Sequence, residues 1–112
     1  MEMVKRSEHV EQREFVQWFR HTYKDVRIFA IPNGGARSRS AGAKFKIEGV
    51  SAGVPDLYVP AWKLWIEMKR EKGGTTSSVQ RDWLNYLIGI GDTAMVCRGC
   101  ADAIKKVTTF KC

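Results

Sequence analysis

Long apolar runs are missing from this chain. No stretch comes near the ~20 consecutive apolar residues that a bilayer-spanning helix requires, so an integral helical membrane protein is excluded. The first residues, MEMVKRSEHVEQ, are charged where a secretory signal needs an apolar segment; the expected compartment is the cytoplasm, with no membrane partner. Cysteine is scarce and odd in number. Cys97, Cys100 and Cys112 leave no disulfide framework and no second pair to complete a zinc site. Cys97-Arg98-Gly99-Cys100 has CxxC spacing but follows a strand-like segment without other metal ligands nearby. The expected roles are structural, with Cys97 a small buried residue and the other two free thiols. His9 and His21 are the only histidines, both on the first helical segment with no metal partner in the pattern. Acidic residues are in deficit too: 12 Asp and Glu against 19 Lys and Arg give a formal net charge of +7. That balance favours a polyanionic partner, nucleic acid being the obvious one.

What is present fits an ordinary folded protein. Hydrophobic residues at 44% and charged residues at 28% argue against disorder, and 112 residues suffice for one core, so residues 1–112 read as one domain. From Ser7 to about Tyr23, Val10, Phe15, Val16, Trp18 and Phe19 recur at helical spacing behind an N-cap serine. Asp25 to Ile31 has the β-branched and aromatic content of a short strand, ended by Pro32-Asn33-Gly34-Gly35. A basic, weakly helical segment with Arg37, Arg39, Lys44 and Lys46 runs on to Gly49.

Asp56 to Val59 reads as a brief strand, Pro60-Ala61 as a turn, and Lys63 to Lys69 as the returning strand. Alternation places Leu64, Ile66 and Met68 on one face and Lys63, Trp65, Glu67 and Lys69 on the other. Gly73 to Ser77 reads as a loop, and Ser78 as the cap of a helix carrying Val79, Trp83, Leu84, Leu87 and Ile88 to Gly89 or Gly91. Thr93 to Cys97 is a core strand and Ala101 to Val107 a last helix. Trp18 and Trp83 have core periodicity; Trp62 and Trp65 do not settle between solvent, a partner chain and a base. The order α, β, α, β-turn-β, α, β, α predicts an α/β fold, a mixed sheet flanked by helices.

The chemistry concentrates on the hairpin. Glu67 and Lys69 are two apart on one strand and share a face, and Asp56 begins the strand before it, where a hairpin brings such positions together. Two carboxylates are oxygen ligands for a hard divalent cation, and a lysine beside them stabilises charge on a phosphate or orients a water. Glu8, Glu11 and Glu14 of the first helix are candidates for a third acidic ligand, and spacing does not choose among them. Gln80, near the start of the following helix, is in reach of a phosphate, as are the backbone N–H groups there.

These residues resemble a known family. Ser7-Glu8-x-x-x-Gln12, Ile31-Pro32-Asn33-Gly34-Gly35 and Gly49-Val50-x-x-Gly53-Val54-Pro55-Asp56-Leu57 are similar to the VRR-NUC (virus-type replication-repair nuclease) domain. Ile66-Glu67-Met68-Lys69, Gly73-Gly74, Ser78-x-Gln80 and Trp83 continue the resemblance over nearly the whole chain. It implies the PD-(D/E)xK nuclease superfamily with its restriction-endonuclease-like αβββαβ core. It also implies Mg²⁺ or Mn²⁺ held by Asp56 and Glu67, with Lys69 as the site lysine and Gln80 as an additional active-site residue. By the same resemblance Glu8 is the first-helix acid. Stand-alone members, from phages and bacteria, are small and similar to Holliday-junction resolvases, dimers acting on branched DNA; a phage-encoded chain would work in the host cytoplasm.

The expected function is therefore a metal-dependent, structure-specific DNA endonuclease, a homodimer that resolves four-way junctions. Arg37, Arg39, Lys44 and Lys46 would hold a junction arm through its phosphates. The competing classes are a non-catalytic nucleic-acid-binding module and a nicking or flap nuclease within a replication-repair complex.

Overall fold

The computed structural model describes residues 6–32 and 47–112. In chain order these form α1 (Glu8–Thr22), β1 (Phe29–Ala30), β2 (Leu57–Val59), a 3-10 turn (Pro60–Trp62), β3 (Leu64–Lys69), α2 (Ser78–Gly89), β4 (Thr93–Arg98) and α3 (Cys100–Lys111). The four strands lie in the order β1-β2-β3-β4. β1 with β2 and β2 with β3 are antiparallel, while β3 and β4 are parallel, joined across α2. This is the expected mixed sheet flanked by helices. Among the described residues, no helix is long and apolar enough to cross a membrane.

Alternation along the strands divides the sheet into two faces. Leu57 and Val59 of β2, Leu64, Ile66 and Met68 of β3 and Cys97 of β4 join Phe15 and Phe19 of α1 and Ala103 and Val107 of α3 in one buried cluster. Complete burial of each of the larger apolar side chains contributes about 1.5–3 kcal/mol. α1 meets this face because Phe15 and Phe19 fall one turn apart, and Ser7 starts the helix as expected: its Oγ accepts from Val10 N–H at 3.2 Å. Trp62 belongs to this side as well, with ring centroids 5.4 Å from Phe19 and 5.0 Å from Tyr23 and the Lys111 ammonium 4.5 Å above it. It closes the core.

The opposite face carries Tyr58, Trp65, Glu67 and Lys69 under α2, which contributes buried Leu84 and Leu87. Trp65 is held in place there, its ring 4.1 Å from Tyr58 and its Nε1 donating to Asp92 at 2.9 Å.

Three expectations are corrected. The first strand is two residues and not Asp25 to Ile31, because Val26 N–H closes a turn onto Tyr23 and β2 offers β1 only Leu57 and Tyr58 as partners. Lys63 is left-handed, with φ 48°, and ends the 3-10 turn, so β3 begins at Leu64. α2 is capped by Ser77, one residue before the expected Ser78. Arg37, Arg39, Lys44 and Lys46 lie outside the described residues.

Candidate active site

The β2–β3 register builds the site. Leu57 pairs with Ile66, and one further step along both strands sets Asp56 across from Glu67, on the face beneath α2. Asp56 is fixed from both sides: its Oδ2 accepts from Met68 N–H at 2.7 Å, and its carbonyl accepts from Ile31 N–H at 2.8 Å. Glu67 and Lys69 are buried, at 2% and 5% exposure, in spite of their charges. Burial on this scale demands partners.

Those partners are supplied within the site. Lys69 Nζ lies 3.4 Å from Glu67 Oε2 and donates to Gln80 Oε1 at 2.9 Å. Gln80 Nε2 in turn donates to Glu67 Oε2 at 3.1 Å. The same glutamine completes a capping box: its Oε1 accepts from Ser77 N–H at 2.9 Å, and its own N–H donates to Ser77 Oγ at 3.2 Å. One side chain thus ties the helix start to both charged residues of β3. Gln80→Ala is expected to lose about 1 kcal/mol through the cap and, for the nuclease expected from the sequence, to slow cleavage by about 10–100-fold through misplacement of Lys69 and Glu67. Urea unfolding beside single-turnover rates checks both; an unchanged rate would leave Gln80 as a cap alone.

The electrostatics are unbalanced towards negative charge. Burial first, and then the neighbouring Asp56, push Glu67 up to about 8, against the pull of Lys69. Asp56 is raised as well, chiefly by burial, with Met68 N–H, Glu67 and Lys69 opposing. The two carboxyls lie close enough to hydrogen-bond to each other and share one lysine, too little to offset both charges, so each holds its proton more tightly than an ordinary carboxylate. A hard divalent cation fits this donor set. Mg²⁺ is commonly held by one or two carboxylates and completes its shell with water and phosphate oxygens.

Glu8 is not part of this cluster. It is the first residue of α1, exposed, and its side chain makes no hydrogen bond or ion pair with the described residues. Among the described residues, no three of His, Cys, Asp and Glu stand close enough to hold a metal ion. The buried first-helix acid is Glu11, at 4% exposure. Its Oε1 accepts from Cys100 N–H at 3.2 Å and pairs with Arg6 Nε at 3.2 Å, so it caps α3 from the neighbouring helix. Glu14 also pairs with Arg6, while His9 and His21 are exposed. One cation on the site face went unread as functional in the sequence: Arg98, the β4 partner of Lys69.

No family model and no curated protein matches the chain. Among solved structures, a "VRR_NUC domain protein" aligns with a TM-score of 0.80 at 24% identity, over 96% of this chain and 90% of its own. The likeness is one of architecture: the chain has a VRR-NUC fold.

Proposed function

We propose that the chain is a divalent-metal-dependent endonuclease that hydrolyses phosphodiester bonds in branched DNA. The observation that carries this reading is the placement of Asp56 opposite Glu67 with Lys69 beside them, on a VRR-NUC fold. Asp56 and Glu67 would hold Mg²⁺ or Mn²⁺, which when bound supplies charge stabilisation to the phosphate and acidifies a water. Lys69 carries a fixed positive charge towards the scissile phosphate, and Gln80 keeps that charge from collapsing onto Glu67 alone. No side chain needs to attack the phosphorus. The formal charge of +7 supports a polyanionic substrate.

Two copies acting on a four-way junction are the finer form of this proposal. Among the described residues one chain carries one such pair of carboxylates, whereas symmetric incision of two strands needs two sites, which a C2 dimer provides.

The test is incubation of purified protein with end-labelled four-way junction, flap, nicked and linear duplex DNA in Mg²⁺, Mn²⁺ or EDTA. Paired metal-dependent cuts near the branch point, absent from linear duplex, are expected, with sedimentation giving a dimer. Cleavage confined to flaps would reassign the substrate. Salt-sensitive binding with no cleavage in either metal would make the chain a binding module.

A further inference from the structure

We propose that Arg98 is a substrate-binding residue of this site, holding a DNA phosphate beside the one that is cut; this rests on the endonuclease reading above. The parallel pairing of β3 with β4 aligns Glu67 with Val96 and Lys69 with Arg98. Residues so paired in adjacent strands project from the same face. Met95 and Cys97, which alternate with them, go to the opposite face with the core. Arg98 therefore stands on the face of Asp56, Glu67 and Lys69, one strand spacing of about 4.8 Å from the site lysine.

Its side chain is oriented rather than free. Arg98 Nη1 donates to the carbonyl of Gly74, in the loop that lies against the Lys69 stem; a Cβ added at Gly74 would stand 3.4 Å from Lys69 Cβ. Its backbone N–H is taken by Asp102 at 2.8 Å. Glu11, Glu14, Glu71 and Asp102 line the same cavity as Arg98, yet none forms an ion pair with its guanidinium, Glu11 and Glu14 being taken by Arg6, and Arg98 is exposed. Asp102 is instead neutralised by Lys106 at 3.2 Å. The fork thus spends one N–H on Gly74 and keeps the remaining donors for a ligand. A planar fork of donors fixed beside a buried lysine suits a phosphate diester, which accepts two parallel N–H bonds from arginine.

Pinning of the Gly74 loop alone would be a structural role, and charge separates the two. Arg98→Gln removes the cation and leaves a shorter neutral amide; Arg98→Lys keeps the cation and removes the fork. Both are made in the cleavage-deficient Asp56→Asn protein, and binding of a fluorescent four-way junction is followed by anisotropy in EDTA over a range of salt. Arg98→Gln is expected to weaken binding about tenfold and to reduce the magnitude of the log Kd against log salt slope by about 0.9, one phosphate contact. Arg98→Lys is expected to retain the slope and lose part of the affinity. Equal slopes for Arg98→Gln and its parent would overturn the proposal and leave the endonuclease reading standing. A parent that binds no DNA, from a wild type that cuts none, would remove both.

Discussion

Cleavage by Asp56→Asn protein is expected to fall by about 10²–10³-fold, while the folded protein becomes more stable above pH 8. The first effect follows from the loss of one of the two carboxylates proposed to hold the metal. The second follows from the protonation of Glu67. In an unfolded chain this carboxyl ionises near its ordinary value, about 4.3, whereas the native site keeps the proton up to about 8. Between those limits the native state binds more protons than the unfolded state, so stability declines as pH rises through the window and is level beyond it. Removing the Asp56 charge removes the second-largest cause of the Glu67 shift, burial being the first. The decline should shrink, by on the order of 1 kcal/mol at pH 9, and the two proteins should converge towards pH 5. Asn retains an oxygen for Met68 N–H, so the strand pairing persists. Urea midpoints at pH 5, 7 and 9 in EDTA, with junction cleavage at pH 8, test both halves. Retained cleavage would remove Asp56 from the site, and parallel pH profiles would show that the carboxyls do not interact.

The sequence exposed the hairpin and the side chains it brings together because period-two alternation fixes which strand residues share a face, and Pro60 marks where the chain turns. Asp56, Glu67 and Lys69 were legible on that ground. The burial of Glu67 and Lys69 was not, since α2 supplies it from across the sheet through Gln80, Leu84 and Leu87, and no local pattern encodes that contact. Thr75-Thr76-Ser77-Ser78 offers four successive cap-forming residues; the available clue was the spacing of three between Ser77 and Gln80, the signature of a capping box. Glu11 falls on the same helical stripe as Phe15 and Phe19, which pointed to burial, while its partner Cys100 stands 89 residues away in sequence. Arg98 was illegible for a related reason. Its face depends on the register between β3 and β4, and a parallel pair joined through a helix leaves that register to tertiary packing.

Gly53→Ala is expected to disable the site from outside it. Gly53 has φ +89°, and a Cβ there would lie 2.5 Å from Val79 Cγ1 and 2.9 Å from the carbonyl carbon and oxygen of the same residue. The first turn of α2 rests directly on this glycine. A left-handed alanine costs about 1–2 kcal/mol, and forced overpacking a further 1–3 kcal/mol or so. Part of the conflict is with backbone, so rotation of the Val79 side chain does not remove it and the helix start must move. Gln80 is the next residue, and its bonds to Lys69 and Glu67, at 2.9 and 3.1 Å, tolerate little displacement. Misplacement approaching 1 Å lowers the cleavage rate by about 10²-fold. Gly91→Ala is the matched control: its φ is +99°, but no atom lies within 4 Å of the added Cβ. It should show the backbone cost alone and cleave at the wild-type rate per folded molecule. Adding Val79→Ala to Gly53→Ala removes the Cγ1 conflict and leaves the backbone one, so activity should return only in part. Full recovery would mean that the side chain alone transmits the strain, and equal rates for the two glycine variants would mean that the seating of α2 on Gly53 does not govern the site.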